Sequence, residues 1–105
     1  MKRGTTPVLP VAIELDASMI ESVTFVFKSE FLENAPAKLT KRYPDEVAYE
    51  DGAFLVPFTE EETRLFNGQF FMDTRIVTVS GSIPETAVCK LYMNPTLFSV
   101  KEVAG

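Results

Sequence analysis

The residues with the most chemical potential are four carboxylates: Glu60, Glu61 and Glu62 in one run, and Asp73 beyond them. Carboxylates in such proximity could form a general acid–base pair or hold calcium. The same run fits a structural pattern. Thr59-Glu60-Glu61-Glu62 is a capping box: the Thr59 hydroxyl accepts from the third backbone N–H, and Glu62 reaches back to the Thr59 N–H. Three Glu in a first turn also suit the positive end of a helix. Capping accounts for the Thr-x-x-Glu spacing directly, so the run reads as a helix start. Glu50-Asp51-Gly52 lacks the alternating ligands of a calcium loop and reads as a turn. Lys38, Lys41 and Arg42 could hold an anion, but they fit better a solvated edge strand guarded by Lys.

What is missing narrows the chemistry further. The 105 residues include no His, which removes the Ser-His-Asp triad, the Cys-His pair and the ordinary general base near neutrality. One Cys without His also removes the usual zinc frameworks. The five Gly are isolated, and neither phosphate-loop pattern occurs. Cys89 lies in the alternating run Ala87–Leu91 and is expected to be a buried small apolar side chain. No cofactor is expected. An enzyme using carboxylates alone would need Asp73 and two Glu in one concave pocket.

Ten basic against fifteen acidic residues give a net charge of −5. The basic residues are also scattered, which argues against nucleic acid as a partner. No stretch approaches the roughly 18 apolar residues of a spanning helix, so no membrane insertion is expected. Met1-Lys2-Arg3 is followed by Gly4, two Thr and two Pro rather than an apolar run, so no export signal is expected. The lone cysteine excludes an internal disulfide and suits a reducing cytosol.

The elements that must position these residues are mostly strands. Pro7 and Pro10 suggest an edge or a lead-in, before an alternating strand over Val11–Leu15 and a short turn capped by Asp16. Val23–Lys28 alternates, with Val23, Phe25 and Phe27 on one face. Ser29–Pro36 reads as a connection, and Lys38–Tyr43 as a solvated strand. Val47–Tyr49 pairs briefly before the Asp51-Gly52 hairpin signal. Ala53–Phe58 is a strand, and the capped helix follows until Asn67-Gly68 stops it, with Leu65 and Phe66 tucked beneath. Gln69–Ser80 is the longest strand, with Phe70, Met72, Thr74, Ile76 and Thr78 toward the core. Ser80-Gly81-Ser82 turns the chain into a last core strand over Ile83–Met93. Leu97–Val103 is either a terminal strand or a docked tail.

About seven short strands and one short helix imply an all-β antiparallel β-sandwich. The expected organisation is a single domain over residues 1–105, with an extended lead at 1–10 and a tail at 94–105. Adjacent strand residues face opposite ways, so a core Phe70 leaves Phe71 on the outside. Apolar residues outside a core can mark a contact. Phe71, Leu97, Phe98 and Val100 are therefore the candidate interaction surface, for self-association or docking onto a protein partner.

Two motifs carry a resemblance. Met1-Lys2-Arg3-Gly4-Thr5-Thr6-Pro7, with Asp16-Ala17-Ser18-Met19-Ile20, matches a K-R-G-T-T-P lead and a D-x-S-x-I turn. Phe58–Thr63 and the strand after it match an L-T-x-E-E-T segment, with Phe58 in place of Leu. Together they resemble small prophage-encoded tail- or baseplate-associated proteins of Gram-positive bacteria, over about two thirds of the chain. Ser29–Tyr49 matches nothing in that pattern. The resemblance implies that the sandwich is immunoglobulin-like and serves as a non-enzymatic structural module, present in the bacterial cytoplasm before assembly and then in the virion. The alternative is a small ligand- or carbohydrate-binding sandwich, against which the absence of Trp counts.

Overall fold

In β2 (Ile20–Lys28) the alternation of Val23, Phe25 and Phe27 with Thr24 and Val26 becomes a core face and an outer face; the first three are fully buried. The computed structural model describes residues 1–84 and 88–94. Its other strands are β1 (Val8–Ala12), β3 (Leu39–Tyr43), β4 (Ala48–Glu50), β5 (Ala53–Pro57), β6 (Gly68–Thr78) and β7 (Cys89–Met93). One short helix, α1 (Glu60–Thr63), lies between β5 and β6, and a 3-10 turn over Ala17–Met19 precedes β2.

The strands form two sheets, ordered β1-β5-β4 and β3-β2-β6-β7. Every pairing between these strands is antiparallel. The protein is an all-β sandwich. In the larger sheet Val23 faces Ile76, Phe25 faces Thr74 and Phe27 faces Met72. These residues pack against Phe54 and Val56 of β5, with Leu9 and Val11 of β1 at the margin. Aromatic rings fill the space between: Phe27 meets Phe58 edge-on at 5.1 Å, and Phe66 stacks on Phe70 at 4.4 Å. Both are favourable ring geometries, beyond the area they bury.

β1 takes the edge position that its prolines suggest. It begins and ends three residues earlier than the alternation alone implies, because Pro10 needs no partner for an N–H at an edge. The Asp51-Gly52 hairpin joins β4 to β5 with φ of 50° and 82°, the doubly positive pair of a type I′ turn. Asp16 caps the 3-10 turn by accepting from the Ser18 N–H at 3.0 Å.

Four expectations need correction. The helix ends at Thr63, well before Asn67-Gly68, and Gly68 instead opens β6 with a φ of 80°. Phe66 is buried as expected, but Leu65 is 42% exposed. The last core strand begins at Cys89 rather than Ile83, which lies exposed outside any strand. Cys89 is itself exposed, at the start of β7, an edge strand whose one neighbour in the sheet is β6.

Candidate interaction surface

The carboxylate run does what its spacing dictates. The Thr59 N–H donates to Glu62 Oε1 at 2.8 Å, and the Glu62 N–H donates to Thr59 Oγ1 at 3.1 Å. Glu60 pairs with Arg64 at 2.7 Å, one helical turn on. Asp73 does not join them. It lies on the outer face of the large sheet, opposite Val26, whereas Glu62 reaches to the inner face. No group of acidic, Cys or His side chains suited to a metal occurs among the described residues. The pocket that a carboxylate enzyme would require is not assembled by these four residues.

Lys41 departs from the expected solvated edge. It faces Phe25 across the β2–β3 ladder, so its side chain enters the sandwich, where it is 8% exposed. Its ammonium meets Glu62 Oε2 at 2.9 Å. Burial alone pushes the Glu62 carboxyl up, but the Thr59 N–H and Lys41 outweigh it and hold that carboxyl below its ordinary value. One carboxylate thus caps α1 and neutralises a buried lysine. The signal was present in the sequence as alternation: Leu39, Lys41 and Tyr43 share a face.

Thr63 links the helix to the N-terminal lead. It is fully buried, and its hydroxyl accepts from the Gly4 N–H at 2.8 Å. It also lies 2.8 Å from Glu60 O and 3.3 Å from Thr5 O. Arg3 donates to Arg64 O at 3.1 Å. The two sequence motifs, far apart in the chain, are therefore one contact.

Phe71 points outward, as its alternation with Phe70 requires, and is half-buried. The cover comes from the β2–β3 connection. Lys28 Nζ donates to the carbonyls of Leu32 and Glu33 at 3.4 and 2.8 Å and folds that loop across the sheet. The Phe31 ring then lies 5.3 Å from Phe71. Between loop and sheet is an open groove of about 410 Å³. Its apolar lining includes Phe71, Leu32 and Val88, and Glu30, Glu33 and Asp73 add negative charge. Phe31, Leu32 and Val88 are 67%, 57% and 41% exposed.

Of the four surface residues expected from sequence, Phe71 is thus placed in a groove, while Leu97, Phe98 and Val100 lie outside the described residues. Sequence reading missed Phe31 and Leu32. Their signal was an apolar pair inside a connection otherwise rich in Ser, Glu, Asn and Pro, where folding has little use for it. No helix among the described residues is long and apolar enough to cross a membrane. No family model, curated protein or solved structure matches the chain.

Proposed function

We propose that this protein is a non-enzymatic interaction module, an immunoglobulin-like sandwich that serves as a prophage tail- or baseplate-associated structural part. The observation that carries the reading is the groove at Phe71. An apolar floor left open to solvent, beside a loop held in place by Lys28, is a surface built for contact rather than for folding. Of the carboxylates that offered the alternative of catalysis, Glu62 is engaged in capping and in an ion pair with Lys41 and Glu60 in an ion pair with Arg64, while Asp73 lies apart from them on the outer face. The prophage context rests on the resemblance, whose two motifs meet at Thr63. Immunoglobulin-like here means two packed antiparallel sheets. The strand order β1-β5-β4 against β3-β2-β6-β7 is the chain's own and is not the ABED/CFG order of constant-type immunoglobulin domains.

The genes flanking the coding sequence test this reading. Tail, holin or lysin genes on either side are the expected result, and a metabolic operon would overturn it. One observation favours a second reading, a small-ligand module. The groove volume falls within the roughly 300–1,000 Å³ typical of small-molecule sites. Saturable binding of a monosaccharide or other small molecule that broadens Phe71 resonances would select it.

A further inference from the structure

We infer that the groove at Phe71 receives the C-terminal segment Leu97–Lys101 of a second copy of this chain, so that copies join head to tail. The inference rests on the interaction-module reading and names its partner.

Three observations converge. The first is the direction in which the chain leaves the sandwich. Lys90 is level with Phe71, and Met93 is level with Gly68, so β7 runs away from the groove by about 3.4 Å per residue. Pro95 follows Asn94 and disfavours any conformation of Asn94 except an extended one. The chain is therefore aimed outward as it passes Asn94.

The second is that the route back along the free edge of β7 is occupied. Residues 1–3 lie along the end of β7, with Lys2 bridged to Asn94. The Arg3 N–H donates to Asn94 O at 3.0 Å, and the Asn94 N–H donates to Met1 O at 2.6 Å. The amino terminus donates to Tyr92 O at 3.2 Å. A strand returning along β7 toward the groove would have to displace residues 1–3 from that edge; a path across the outer face is the one left within a single molecule, and the mixing experiment below distinguishes it. The sequence continues for eleven residues beyond Asn94, a reach of about 36–40 Å when extended, which is ample for a neighbouring molecule.

The third is complementarity. The groove offers an apolar floor with Glu30, Glu33 and Asp73 around it, outnumbering the single cation Lys28. The segment Leu97-Phe98-Ser99-Val100-Lys101 offers three apolar side chains followed by one cation. Phe98 suits the space beside Phe71 and Phe31, and Lys101 suits the carboxylates. A contact between two different surfaces of the same chain is heterologous. It closes into a ring or continues as a filament.

Mixing complementary variants of the full chain tests this. Phe71→Ser disables the groove and leaves the segment intact; Phe98→Ser does the reverse. Size exclusion with light scattering should show wild type growing with concentration beyond its one-chain mass of 11.7 kDa. Each variant alone should stay at that mass, and an equimolar mixture should reach twice it and no more. The pair Glu33→Lys with Asp73→Lys, both exposed, provides a groove variant that spares the Phe31–Phe71 contact, should Phe71→Ser fail to fold. A wild type that stays monomeric at millimolar concentration overturns the inference. So does a mixture that stays monomeric, the result expected if each segment serves its own groove. Either failure leaves the flanking-gene test of the interaction-module reading in force.

Discussion

Lys41 shows how one side chain can satisfy a pattern that misleads. By composition the run Lys38–Arg42 belongs in water, and Lys38 and Arg42 are exposed. Period-2 alternation nevertheless turns Lys41 toward Phe25. A buried ammonium is tolerated because Glu62 is 2.9 Å away. Charge was legible in the sequence and so was alternation, but the partner was not, since it lies on a different element. Lys41→Met keeps the apolar stem and leaves Glu62 to its cap and to water. We expect a loss of about 1–2 kcal/mol, between an exposed and a fully buried pair, read from urea unfolding. The pH dependence follows from Glu62. Its folded-state pKa is depressed, so its contribution is complete above the ordinary value of 4.5 and is lost as pH falls through the folded-state value. The stability gap between wild type and Glu62→Gln should be widest near neutrality and shrink below pH 4.5. A gap that widens in acid would contradict the ion pair.

At the scale of elements, α1 is too short to be stable by itself, since isolated helices need about 12–15 residues. It is held at both ends. Thr59 and Glu62 close its start, and Thr63 binds the lead through Gly4 and Thr5. The capping box could be read from four residues because capping is local. The clasp to the lead could not, because it joins residues 59 apart in the chain. Thr59→Ala should cost about 1 kcal/mol. Thr63→Val keeps the shape but leaves the Gly4 N–H without its acceptor in a packed site. Its cost should be about 1–3 kcal/mol, the penalty for an unsatisfied buried donor. Hydrogen exchange separates the two variants: Thr63→Val should speed exchange at Gly4, while Thr59→Ala should speed it at Glu62 and leave Gly4 nearly unchanged.

Across the whole molecule, the sandwich was legible wherever one strand carried its own two-faced pattern, as in β2 and β6. It was least legible at the edges. β7 starts six residues later than its apolar run suggests, because whether an edge residue is covered depends on the width of the opposing sheet. The candidate interaction surface followed the same rule. Alternation placed Phe71 outside, but only the folded loop places Phe31 beside it. The two faces of the large sheet should therefore respond differently to truncation. Phe27 contacts the rings of Phe58, Phe66 and Phe70 in the centre of the core. Phe27→Ala should cost about 3–5 kcal/mol, a large share of the roughly 5–15 kcal/mol available to a domain. Phe31 has one ring partner among the described residues and is mostly exposed, so Phe31→Ala should cost under about 1 kcal/mol. Thermal unfolding followed by calorimetry would rank them. A Phe31→Ala loss as large as that of Phe27→Ala would make the outer groove part of the folding core, and its open apolar floor would then need no partner to explain it.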